Sequence, residues 1–111
     1  MTTQPTPFEL AILDRIAVRH PELRALVSSL RVRSSKYSGA GSFTYFEPHA
    51  PVPLPDGFIG LDALIHMPGV ESGMGASISV TSGQIDLEIY TYGISVWSGD
   101  FNGFVIDDAG V

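Results

Sequence analysis

Apolar residues recur at helical spacing near the start of the chain: Phe8, Ile12 and Ile16 are joined by Leu13 and Ala17, while Glu9, Asp14 and Arg15 fall elsewhere on the wheel. One face of a helix seeks a core. Its first turn is signalled by Thr6-Pro7-Phe8-Glu9, in which Thr6 caps, Pro7 suits the first helical position and Glu9 completes a capping box. At His20-Pro21 the proline blocks continuation of an upstream helix yet suits the start of a new one, so a kink or restart is expected, with His20 as a cap or solvated side chain. Leu23, Leu26, Val27 and Leu30 then form a second apolar stripe.

After Leu30 the period changes. Residues 31–37 alternate weakly, Ser38-Gly39-Ala40-Gly41 is turn chemistry, and residues 42–47 are dense in Phe, Tyr and Thr, which predicts a β-hairpin. Residues 48–55, PHAPVPLP, carry four prolines and predict an extended surface connection. A short strand is expected at Phe58-Ile59, followed by an edge strand or helical turn over residues 61–67. Residues 76–81 and 84–92 flank Ser82-Gly83, and a two-residue turn there sets Val80 opposite Ile85 and Ile78 opposite Leu87. The other face of that hairpin then carries Ser77, Ser79 and Thr81 against Asp86, Glu88, Tyr90 and Tyr92. Further strands are expected over residues 94–97 and 104–106. The fold class is α+β, with one or two N-terminal helices packed on an antiparallel sheet of about five strands.

Composition bounds the function. The chain has 111 residues, the length of a single domain spanning 1–111, and its 44% hydrophobic and 16% charged content is that of a globular protein. It has no cysteine, which excludes disulfides, thiolate metal sites and a cysteine nucleophile. No apolar run approaches a bilayer span and the first ten residues lack the features of a secretory signal, so a cytoplasmic protein without membrane association is expected.

Charge is segregated. Arg15, Arg19, Arg24, Arg31, Arg33 and Lys36 all precede residue 37, beside only Glu9, Asp14 and Glu22, for a local charge of +3. From Tyr37 onward there are nine acids and no Lys or Arg, a charge of −9. Nucleic-acid binding, which depends on basic side chains meeting phosphates, is disfavoured. The acidity either keeps the domain soluble or selects a basic partner.

Few residues suggest chemistry. Asp86 and Glu88 point to one side of a strand and offer an acid–base pair, but no substrate-binding groups accompany them in the sequence. His20, His49 and His66 lack metal-ligand spacing, so neither a metal nor another cofactor is expected. Gly39-Ala40-Gly41 lacks the third glycine and following helix of a dinucleotide loop, and the glycines of Ser72-Gly73-Met74-Gly75 fit a bend or bulge. Tyr90, Tyr92 and Trp97 have the side-chain type that anchors interfaces, although packing on a sheet explains them as well.

The stretches Gly39-Ala40-Gly41-Ser42-Phe43-Thr44 and Gly83-Gln84-Ile85-Asp86-Leu87-Glu88-Ile89-Tyr90-Thr91-Tyr92-Gly93, followed by Trp97, resemble a family of small uncharacterised bacterial proteins. The resemblance implies the same order of N-terminal helices before the sheet and carries no catalytic residues. Small acidic α+β proteins of this kind are similar in character to immunity proteins of bacterial toxin systems. The leading expectation is a non-enzymatic interaction domain that binds a basic protein through Asp86, Glu88, Tyr90, Tyr92 and Trp97. A small enzyme using Asp86, Glu88 and a histidine is one alternative, and a small-ligand carrier with a pocket between helix and sheet is another. A homodimer through the sheet face or an edge strand is compatible with each.

Overall fold

In the computed structural model, which describes residues 3–47 and 51–107, regular structure begins with helix α1 (Pro7–Arg19). The capping box forms as expected: Glu9 N–H donates to Thr6 Oγ1 at 3.1 Å, and Thr6 N–H donates to Glu9 Oε1 at 2.8 Å. The helix ends at its C-cap His20, and Pro21 restarts the chain as one 3₁₀ turn (Pro21–Leu23) that leads into the short helix α2 (Arg24–Val27). Seven strands follow: β1 (Arg31–Tyr37), β2 (Gly41–Glu47), β3 (Gly57–Gly60), β4 (Leu64–Met67), β5 (Val70–Thr81), β6 (Gln84–Thr91) and β7 (Val105–Asp107). All pairings are antiparallel, in the order β1-β2-β6-β5-β4-β7, with β3 also on β5.

The α+β class therefore holds, and the sheet exceeds the expected five strands. The reason lies in β5, whose twelve residues are long enough for β3 and β4 to pair end to end along one edge while β6 takes the other. Residues 61–67, expected as an edge strand or helical turn, contain β4 as an interior strand, because β7 pairs with its free side. The strand expected over residues 94–97 does not form. That segment is loop, and Ile94 and Val96 are exposed there. Strand β7 lies one residue later than the expected 104–106. Of the proline-rich connection, residues 48–50 lie outside the described residues; Val52 and Leu54 pack partly buried against the core, so this stretch is not purely a surface connection.

The β5–β6 register is the expected one, with Val80 opposite Ile85 and Ile78 opposite Leu87. Ser82 and Gly83 both have positive φ, 50° and 80°, the pattern of a type I′ turn that matches strand twist. Gly73, also left-handed at φ 80°, sits where β5 spends more residues than β4 between two paired positions, which is the expected bulge.

Alternation then sorts the sheet into two faces. Phe46, Ile78, Ile85, Leu87 and Ile89 point inward and meet Phe8, Ile12, Leu13 and Ile16 of α1 in one continuous core. The helix covers this inner face.

Candidate functional site

Among the described residues, no element covers the opposite face. Two cross-strand rows run over it: Ser34–Tyr45–Asp86–Ser79–Phe58 and Lys36–Phe43–Glu88–Ser77–Gly60. Each row places a carboxylate on β6 between an aromatic ring on β2 and a serine on β5. Phe58 is 82% exposed and Phe43 44%, large values for phenylalanine in strands. The Phe43 and Tyr45 rings stack with centroids 6.4 Å apart. Phe43, Phe58, Ser77, Ser79, Asp86 and Glu88 together line a shallow depression.

Tyr90 and Tyr92 extend the same face. Their rings meet edge to face at 5.6 Å, directly over Gly75, where an added Cβ would lie 2.4 Å from Tyr92 Oη and 2.7 Å from Tyr90 Cε2. Gly75 is thus the floor on which the pair rests. Loss of solvent pushes the pKa of the Tyr90 phenol above its ordinary value, and Tyr92 and Glu88 beside it act in the same direction.

Four of the five residues expected to form a binding face are therefore together. Trp97 is not with them. It is 5% exposed and lies on the helix-covered side, where its Nε1–H donates to Asp100 O at 2.8 Å and its ring meets Phe8 and Tyr37 edge to face at 5.9 and 5.8 Å. Its placement follows from the loop after β6, which is pinned by Trp97 N–H to Gly39 O (2.9 Å) and by an Asp100 side chain that accepts from Asn102 N–H (2.9 Å).

That loop closes a second feature, a cleft of about 190 Å³ between the start of α1 and the β1–β2 hairpin. Phe8, Tyr37, Trp97 and Phe101 contribute rings to its wall, and Glu9, Thr6, Ser35, Ser42 and Thr44 contribute oxygens. Glu9 is 7% exposed and its second oxygen, Oε2, accepts from Thr44 Oγ1 at 2.5 Å.

The two described histidines lie away from both features. His20 Nδ1 is 3.7 Å from Glu22 on the 3₁₀ turn, His66 Nε2 is 3.3 Å from Asp107 on β7, and His49 lies outside the described residues. Asp86 and Glu88 consequently have no described histidine beside them; Asp86 has a 3.5 Å contact from Gln84 Nε2. Among the described residues no three His, Asp or Glu side chains cluster as metal ligands, and no helix is long and apolar enough to cross a membrane.

Compared with protein families, curated proteins and solved structures, the chain matches none.

Sequence reasoning missed Phe43, Tyr45 and Phe58 on the outer face and Tyr37 and Phe101 in the cleft. For Phe43 and Tyr45 the signal was present, since strict alternation over residues 42–47 sets them opposite Thr44 and Phe46. For Glu9 the capping role hid a second one. Phe58, Tyr37 and Phe101 reach these sites by pairing and loop docking, which leave no local pattern.

Proposed function

We propose that the protein is a non-enzymatic interaction domain whose outer sheet face binds a basic protein surface. The observation that carries this reading is the arrangement of that face, in which exposed Phe43 and Phe58 flank Asp86 and Glu88 on strands that no described element covers. Aromatic side chains supply buried area on association, and carboxylates between them select a partner with complementary charge. The charge of −9 beyond residue 36 favours the same class of partner, with Lys36 the cation at one end of a row. The likeness in character between small acidic α+β proteins and immunity proteins of toxin systems is consistent with this mode.

The anchors of this face are Phe43, Phe58, Tyr90 and Tyr92, and Trp97 acts by ordering the loop behind them. Capture from cells of the source organism, at low and high salt, tests the reading. A basic protein should be retained at low salt, released at high salt, and lost with either Asp86→Asn/Glu88→Gln or Tyr90→Ala/Tyr92→Ala. Capture of an acidic partner, or binding indifferent to salt and to both double variants, would remove this face as the interaction site.

A further inference from the structure

We infer that the cleft between the start of α1 and the β1–β2 hairpin is a binding site for a small organic ammonium ion, held between aromatic rings and the buried Glu9 carboxylate. This site is separate from the outer sheet face and stands whether or not that face binds a protein. Its volume of about 190 Å³ lies below the roughly 300–1,000 Å³ of sites for drug-sized compounds. A compact ligand fits, and a nucleotide does not.

Chemistry selects the charge. Phe8, Tyr37, Trp97 and Phe101 line the cleft, and the face of an aromatic ring attracts a cation within about 6 Å of its centroid. Glu9 adds a carboxylate that is almost wholly buried yet, among the described residues, accepts two hydrogen bonds, one from Thr6 N–H and one from Thr44 Oγ1. A carboxylate has about four acceptor positions, so capacity is left for a ligand. Among the described residues no Lys, Arg or His forms an ion pair with it. The first turn of α1 supplies only a partial positive charge, and a buried anion is stabilised further by a full counter-charge. An anionic ligand would meet Glu9 with repulsion. A neutral apolar one would leave the carboxylate's open positions unfilled.

The way the cleft is built supports a preformed receptor. Trp97 is fixed by its indole bond to Asp100 O and by its backbone bond to Gly39 O, so the ring is held before any ligand arrives. Tyr37, 52% exposed, forms the outer wall and can adjust. Fixing the recognition groups in advance lowers the cost of binding.

Trp97 is the sole tryptophan, so its fluorescence reports this cleft alone. The experiment titrates the intact protein with choline, a small quaternary ammonium ion, against its uncharged carbon isostere dimethylbutanol, at ionic strength matched with sodium chloride. Choline should change the Trp97 emission saturably, and the isostere should bind at least about tenfold more weakly, since a desolvated cation on aromatic rings gains that much. Glu9→Gln retains the capping box, in which glutamine serves as well as glutamate, and should weaken choline binding about tenfold or more while leaving the far-UV circular dichroism and the binding of the isostere unchanged. Tyr37→Leu alters a half-exposed wall that packs edge to face on Trp97 and should weaken choline more than the isostere, with each titration read against that variant's own unliganded emission. Equal binding of choline and the isostere, full retention of choline by Glu9→Gln, or no saturable response to choline at all would overturn the assignment.

Discussion

Glu9 and Thr44, separated by 35 positions, share a 2.5 Å hydrogen bond that joins the first turn of α1 to the middle of β2. Both are buried, and the same carboxylate also closes the capping box with Thr6. One side chain therefore fixes where the helix starts and how its N-terminal end sits on the sheet.

Removing the donor tests that bond. Thr44→Val keeps the shape of the side chain and leaves Glu9 Oε2 without its partner in the interior, which should cost about 1–3 kcal/mol. Urea denaturation with an unchanged slope is the measurement. A midpoint equal to that of the parent would show that solvent already satisfies this oxygen.

The β5–β6 turn requires left-handed backbone at both central positions, with φ of 50° at Ser82 and 80° at Gly83. Ser82→Asn should be neutral or mildly stabilising, because asparagine tolerates this conformation and Asn-Gly favours the type I′ turn. Gly83→Val should destabilise by about 1–2 kcal/mol or more, since a side chain raises the left-handed state by that amount and β-branching adds to it. No Cβ clash exists at Gly83, so the loss is conformational. Denaturation midpoints for the two variants should move in opposite directions or one should stay fixed; a fall of both by the same amount would contradict this origin.

Gly41 and Gly75 predict unlike outcomes for the same change. A Cβ at Gly41 would lie 1.9 Å from the Ile89 carbonyl oxygen, on the backbone of β6, whereas one at Gly75 meets the ends of the Tyr92 and Tyr90 rings, which can swing outward. Gly41→Ala should therefore destabilise by about 2 kcal/mol or more through forced strand separation. Gly75→Ala should cost less and instead disperse the tyrosine pair. Loss of the ring-to-ring Overhauser effects between Tyr90 and Tyr92 in Gly75→Ala, with most of the stability kept, is the expected signature; intact ring contacts would show that Gly75 does not position them.

Asp62 predicts the acid limb of the stability profile. Arg15 Nε donates to Asp62 Oδ1 at 3.1 Å, and Arg19 Nε lies 2.6 Å from Oδ2. The Arg15 hydrogen bond, aided by the charges of both arginines and opposed by partial burial, holds the carboxyl below its usual range. A pKa lower in the folded than in the unfolded chain makes the contribution complete above the unfolded value of about 3.9 and lost as the pH falls through the folded one. Asp62→Asn should be less stable than the parent at neutral pH by up to about 1 kcal/mol, the range for partly exposed pairs. The gap should close in acid. A difference that stays constant down to about pH 2 would assign the loss to packing instead.

The sequence by itself determined the elements whose causes are local. Thr6 and Glu9 marked the helix start, Pro21 its restart, and Ser82-Gly83 the turn, each through bonding or backbone geometry among near neighbours. Alternation along β6 also determined that Asp86, Glu88 and Tyr90 share one face, because the side-chain period of a strand is two whatever lies beside it. Tertiary structure alone decided the rest. The seven strands depend on β7 reaching β4 from about forty positions away and on β3 finding the free edge of β5, pairings that backbone hydrogen bonds permit for almost any side chains. Trp97 carried the same interface-forming chemistry as Tyr90 and Tyr92, yet its loop docks on Gly39 and turns the indole to the helix-covered side. Phe58 joined the outer face, and Glu9 acquired Thr44 and four aromatic neighbours in the cleft, only when segments distant in the chain came together. Local chemistry sets which way a strand residue points, and long-range packing sets what it meets.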